Sequence, residues 1–148
     1  LLLLLGKNYY YMDPTHLNDC HLIDIPKITD PRGNLSVIEK DLLPFSVQRV
    51  YYLYDVPSDA HRGGHAHKEQ LEFLVALSGS FEVKLDDGAS TKKVQLNKPN
   101  KGLLIPTGIW RELGNFSSGS VCLVVSSGVF KEADYLREYE DFRLFKGR

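Results

Sequence analysis

Cysteine, methionine and tryptophan are nearly missing from this 148-residue chain, which has two, one and one of them. With only Cys20 and Cys122, a disulfide scaffold is excluded and no oxidising compartment is required, so the cytoplasm is the expected location. Cys20 and His21 do not make a thiol and base pair, because adjacent residues of an extended chain point to opposite faces. A long apolar run is missing too. The five opening leucines fall far short of the roughly 20 residues a spanning helix needs, and no basic segment precedes them, so neither an anchor nor a signal peptide is expected. Charge of one sign is also lacking: the formal net charge is -1, which gives no field for gripping nucleic acid. Any anionic ligand must be met by individual arginines.

What is present is an ordinary globular composition, 43% hydrophobic and 25% charged, at the length of one domain. Met12 is the sole methionine, so residues 1–11 are read as an added or upstream segment. The expected organisation is an N-terminal extension over residues 1–20 and a single domain over 21–148.

From residue 21 onward, short apolar runs alternate with turn residues such as "DPRGN", "VPSDAHRGG", "LSGS", "DDGAS", "NKPNKG" and "NFSSGS". That cadence predicts an all-β sandwich or barrel. Strands are expected at 22–26, 34–39, 46–54, 64–67, 71–77, 80–85, 91–97, 102–105 and 120–126. Period-two geometry puts Arg49, Tyr51 and Leu53 on one face, with Val50, Tyr52 and Tyr54 on the other. The same rule sets His65 and His67 side by side. In the tail, Tyr135, Leu136, Tyr139 and Phe142 recur at helical spacing, predicting a short helix packed on the barrel. Trp110 and Phe116 are expected in the core, and His16 and His61 are read as structural or exposed histidines without a role in the chemistry.

The chemistry concentrates in "HRGGHAHKEQLEF", residues 61–73. His65-x-His67, four more residues, Glu72, six more and Gly79 resemble the first cupin motif, and "PTGIWRELGN", Pro106 to Asn115, resembles the second. The resemblance implies a cupin double-stranded β-helix, a jelly-roll barrel with its site in the mouth. Metal-binding cupins carry a histidine where this chain has Arg111. A guanidinium cannot donate a lone pair and repels a divalent cation. His65, His67 and Glu72 still make a two-histidine, one-carboxylate set of the kind that holds non-haem iron.

A narrower resemblance follows from "DPRGNLSVIE", "PFSVQRVYYLYDV", "HRGGHAHK", "LEFLVALSGS", "LDDG", "GLLIPTGIWREL" and "EADYLREYEDF". Together, over about residues 21–145, they are similar to the sugar nucleotide 3,4-ketoisomerases, WxcM-like cupins acting on dTDP-4-keto-6-deoxyglucose. The family implies a metal-independent enzyme without cofactor, working toward 3-amino-3,6-dideoxy sugars of surface glycans such as lipopolysaccharide or S-layer glycan. It also implies a homodimer with exchanged N-terminal strands, its partner molecule being a dTDP-linked keto sugar. His65, His67 and Tyr51 match its catalytic positions. Arg32, Arg49 and Arg62 match arginines suited to the nucleotide, with Arg111 and Glu72 as further substrate contacts. Glu72 departs from the pattern, which has glutamine there and so lacks this carboxylate.

These residue types suit the implied reaction. Moving a ketone from C4 to C3 removes the C3 proton, passes through an enediol and returns a proton to C4. Imidazole, with an unperturbed pKa of about 6.5, can serve as both base and acid. Tyr51 or Arg111 could donate to the developing enediolate. Arginine's planar fork matches pyrophosphate oxygens better than a lysine does. Blander readings stand beside these: Arg32 as an exposed turn residue, and Arg49 as the partner of a buried carboxylate. The rival functions are a metal-dependent cupin enzyme, a dTDP-sugar epimerase and a non-catalytic sugar-binding cupin.

Overall fold

The computed structural model describes the backbone of residues 2–5 and 8–148 and the side chains from Met12 onward. The first strands are β1 (Leu2–Leu5), β2 (Asn8–Tyr11), β3 (His21–Asp24), β4 (Lys27–Asp30) and β5 (Gly33–Ser36). The barrel proper continues with β6 (Arg49–Leu53), β7 (Arg62–His67), β8 (Glu72–Ser78), β9 (Phe81–Asp86) and β10 (Thr91–Leu96). It closes with β11 (Lys101–Ile105), β12 (Trp110–Gly114), β13 (Val121–Ser126), β14 (Tyr135–Leu136) and a helix, α1 (Tyr139–Phe145).

Two five-stranded antiparallel sheets face each other, in the orders β10-β9-β12-β7-β14 and β3-β11-β8-β13-β6. From β6 to β9 each successive strand changes sheet, and so does each from β10 to β14. The chain therefore winds around one interior, which is the jelly-roll cupin barrel that the motifs imply. The β1–β2 and β4–β5 pairs are separate two-stranded ribbons.

Alternation decides which side chains enter the barrel. On β8, Leu74 and Ala76 join the inner core with Phe81, Val83, Leu85 and Ile109. Phe73 and Val75 point the other way, into a second cluster with Ile25, Leu43 and Val125. Both faces of β8 are thus covered, which is why its sequence reads as a continuous apolar run. Gly102 makes that layer possible: a Cβ there would lie 2.2 Å from the Phe73 ring. Phe81 and Phe116 stack at 5.2 Å between centroids inside the barrel, each burial worth about 2–3 kcal/mol.

Besides β1 and β2, which lie in the segment set aside as an extension, three strands escape the sequence reading: β4, β12 and β14. In β12 an inward arginine, Arg111, sits between Trp110 and Leu113, so the apolar alternation that marks a half-buried strand is broken. At the tail, Tyr135 and Leu136 pair with His67 and Ala66 as a strand, and the helix begins only at Tyr139. The helical spacing still has a physical basis, because Leu136 and Phe142 meet Ala66 and Trp110 in one outer cluster. Trp110 is core in this outer layer and Phe116 in the barrel, as expected.

Residues ahead of the barrel also pack on it. Leu17 and Cys20 lie against the inner core. Lys146 Nζ, at the end of α1, donates to Asp13 at 2.7 Å and to the Thr15 carbonyl at 2.7 Å, with lysine and aspartate both buried.

Candidate active site

β7 delivers the two histidines, and its glycines decide how. Gly63 has φ +84°, and a Cβ there would stand 3.0 Å from the Arg111 carbonyl oxygen. Only glycine allows so close an approach of β7 to β12, where the register shifts between Arg111 and Glu112. Beyond the irregularity, His65 pairs with Arg111 across the strands. His65 and His67 then point inward while Ala66 points out toward α1, as period two requires.

The two imidazoles have different surroundings. His65 lines a cavity of 380 Å³ together with Arg49, Arg62, Arg137, His61 and Tyr135. An inner extension of 80 Å³ reaches Tyr51, Glu72 and Arg111. His67 is fully buried behind His65, the rings perpendicular with centroids 4.9 Å apart. Its Nδ1 lies 2.7 Å from Asp134 Oδ2. Its Nε2 lies 3.3 Å from Glu72 Oε1, an ion-pair distance without hydrogen-bond alignment.

Glu72 is the hub of the inner end. It accepts from Arg111 Nη1 at 2.7 Å, Tyr51 Oη at 2.7 Å and Ser126 Oγ at 3.0 Å. Burial opposes its charge, yet the contact with His67, the charge of Arg111 and the Tyr51 hydroxyl hold its carboxyl well below the usual range. Arg111 is equally enclosed, and its Nε and Nη2 donate to the Ile109 carbonyl at 3.2 and 3.0 Å. Burial, then the neighbouring Glu72 charge, raise the Tyr51 hydroxyl, so it stays a donor. His65 moves the other way: burial, Arg111 and His67 lower its pKa to about 3. It is a neutral imidazole at neutral pH.

Arg49 reaches across the cavity to Tyr135 Oη at 3.3 Å and stands 3.8 Å from Glu72. The reading of Arg49 as partner of a buried carboxylate is thus half met. Its Nε is buried and, among the described residues, without a partner, as is His65 Nε2. Arg62 lines both parts of the cavity. Arg32 does not: it sits at the tip of the β4–β5 ribbon, with its side chain 90% exposed and paired to Asp30 at 2.7 Å.

His65, His67, Tyr51, Glu72, Arg49, Arg62 and Arg111 therefore converge, whereas Arg32 stands apart within one chain. Sequence reading missed Asp134, Tyr135, Arg137 and Ser126; His61, read as structural or exposed, is exposed and lines the edge of the cavity. Alternation in "ADYL" was the available signal, and helical spacing overrode it. A larger hollow of 670 Å³ under residues 38–47 brings no histidine, arginine or tyrosine together.

Donor atoms of His65, His67 and Glu72 lie within 4.8 Å of one another, close enough for one cation. The donor chemistry does not fit one: both carboxylate oxygens are taken, and a guanidinium nitrogen already sits 2.7 Å from Oε1. A divalent ion would have to displace that charge.

Comparison with known proteins identifies the family of the chain. Residues 18–147 match the family model FdtA, described as WxcM-like, C-terminal. A TDP-4-oxo-6-deoxy-alpha-D-glucose-3,4-oxoisomerase of Aneurinibacillus thermoaerophilus is 41% identical over 125 residues, covering 84% of this chain and 90% of that protein. A 3,4-ketoisomerase from Helicobacter canadensis superposes with a TM-score of 0.85 at 39% identity, covering 88% of this chain and 98% of the other. QdtA, a sugar 3,4-ketoisomerase from Thermoanaerobacterium thermosaccharolyticum solved in complex with TDP, gives 0.87 at 37% identity, covering 89% and 97%. With the motif residues meeting in one cavity and these matches running along nearly the whole barrel, the chain belongs to the FdtA, WxcM-like C-terminal family.

Proposed function

We propose that the protein is an isomerase that moves the keto group of dTDP-4-keto-6-deoxy-D-glucose from C4 to C3. The observation that carries this is a pair of buried nitrogens without partners among the described residues, His65 Nε2 and Arg49 Nε, in a cavity ringed by arginines. One offers a lone pair for a C–H proton, and the other a donor for a developing anion. His65 is the imidazole that touches carbon, because His67 has no exposed surface. It takes the C3 proton, the C3 hydroxyl proton moves to the C4 oxygen, and the enediol collapses to a C3 ketone as the proton returns to C4. Arg49, Arg62, Arg111 and the inner carboxylate Glu72 hold the substrate end of the site, the last two as a fixed wall. Tyr51, tied to Glu72, presents its hydroxyl beside the sugar.

The low pKa of His65 fits this use once the ligand is counted. Burial, Arg111 and His67 depress the imidazole, and the negative charge of a bound diphosphate in the same cavity opposes the last two and so raises its basicity on binding. His65→Asn should leave product formation at background, as followed by NMR of the product in deuterated water, which also separates carbonyl migration from inversion of a ring centre. Normal turnover of that variant would refute the assignment.

The finer reading includes a homodimer. Ile28 and Leu35, on the β4–β5 ribbon, and Val50 and Tyr52, on β6, are large, apolar and 55–60% exposed, and a lone two-stranded ribbon is marginal in water. Exchange of this ribbon between two copies covers those residues and carries Arg32 toward the other copy's cavity. A stable monomer in light scattering would contradict it. No helix among the described residues is long and apolar enough to cross a membrane, and the proposed setting is the cytoplasm, supplying 3-amino-3,6-dideoxy sugars for surface glycans. The metal-dependent reading keeps one observation, the His65, His67 and Glu72 cluster. It predicts stoichiometric metal in purified protein and loss of turnover with chelator, whereas the present reading predicts neither.

A further inference from the structure

Asp134 is the one acidic side chain near the cavity, besides Glu72, that is wholly enclosed, at 2% exposure. It lies in the short turn Glu132–Asp134, between the barrel and β14. Three bonds fix it there. Its Oδ2 meets His67 Nδ1 at 2.7 Å, its Oδ1 accepts from the Glu69 amide at 2.5 Å, and its own carbonyl accepts from the Lys68 amide at 2.9 Å. The carboxylate is therefore clamped onto the chain that follows His67, and its second oxygen has one partner left, the imidazole. A carboxylate can only accept, so the proton of that bond belongs to Nδ1.

His67 in turn has no freedom. Its ring is packed perpendicular to His65, lies 4.4 Å from the Tyr135 ring between centroids, and turns Nε2 toward Glu72. Whatever sets the tautomer and rotamer of His67 sets the wall against which the reacting imidazole rests. Resting on the function proposed above, we propose that Asp134 is a positioning residue for the isomerisation: by accepting the Nδ1 proton of His67, it fixes the ring that holds His65 in line with the C3 proton. Asp134 touches no substrate atom. It acts through His67, and Tyr135, its neighbour in the chain, completes the same wall.

The test is Asp134→Asn. The amide keeps an oxygen for the Glu69 amide and turns its NH₂ toward Nδ1, which must then accept, moving the His67 proton to Nε2. Two readouts follow. In ¹⁵N–¹H spectra of histidine-labelled protein, wild type and His65→Asn should show a protected, downfield Nδ1 proton that is missing from Asp134→Asn and His67→Asn. In turnover of dTDP-4-keto-6-deoxyglucose, kcat of Asp134→Asn should fall on the order of 10²-fold with KM little changed, the size of a small misplacement of a reacting group. Asp134→Glu, which keeps a carboxylate, should recover part of both, and thermal melts establish that each variant is folded. An unchanged Nδ1 signal, or a folded Asp134→Asn with wild-type kcat, overturns the inference. Failure of the functional reading looks different: wild type itself leaves the keto sugar unchanged, and the imidazole spectrum then decides whether Asp134 sets the His67 tautomer.

Discussion

The two ends of the barrel interior are built from the same strands and have opposite chemistry. On β8, Glu72, Leu74 and Ala76 share one face. On β12, Arg111 and Leu113 do, and on β13, Ser126, Val124 and Cys122. At one end the three strands contribute a carboxylate and the guanidinium and hydroxyl that both donate to it. At the other they contribute only carbon and a thiol. Burial is similar at both ends, yet it pushes the Cys122 thiol up to about 12 while Glu72 is held ionised. Enclosure alone does not set a group's charge; the partners enclosed with it do. The dry end keeps the strands in register so that the polar end can hold its groups still.

That contrast can be broken in steps. The largest effect should come from His65→Asn, which removes the base: turnover falls about 10³-fold or more while folding survives, measured by product NMR beside urea unfolding. Phe81→Ala strikes the dry end and should do the reverse, costing about 3–5 kcal/mol in urea unfolding while the folded fraction keeps its kcat. Equal loss of kcat there would show that the two ends are not separable. Glu72→Ala should fall between the two cases. It strands the Arg111 guanidinium, costing about 3 kcal/mol in urea unfolding, and lowers activity as well.

Acid should unfold the polar end first. Below pH 6.5 the unfolded chain protonates His65, whereas the folded chain does not until its pKa of about 3. The unfolded state then binds more protons, so stability falls as pH falls, by roughly 2 kcal/mol from this group between pH 7 and pH 5. Urea midpoints across that range should fall less steeply for His65→Asn; parallel slopes would remove His65 as the cause. The smallest effect is expected from Arg32→Ala, whose exposed pair with Asp30 is screened by water. The unfolding midpoint should not move measurably, and a raised KM would tie Arg32 to another copy's cavity.

Much of this architecture was legible before any coordinates. The face of β6 bearing Arg49 and Tyr51, and the inward pair His65 and His67, follow from period two alone. Glycines and turn residues bounded most barrel strands to within two or three residues. What stayed hidden around the site shares one cause, a polar residue placed inside, whereas β4 is an exposed ribbon strand with no apolar alternation to mark it. Arg111 disguised β12 as a loop, and Asp134 and Tyr135 sat in a segment whose spacing mimics a helix. A buried polar residue looks like an exposed one in sequence, because its partners come from elsewhere: Glu72 from 39 residues before Arg111, and Asp134 from 67 residues after His67. His61, exposed at the edge of the cavity, carries no local mark of that place.

The bond from Lys146 to Asp13 closes the molecule like a buckle, joining positions 133 residues apart in a dry setting. Trimming the chain before residue 146, as in shortening a protein for crystallisation, would abandon a carboxylate beneath the barrel and loosen the strap that α1 lays across β7. Expression vectors for this protein are therefore better altered ahead of Met12 than behind Phe145.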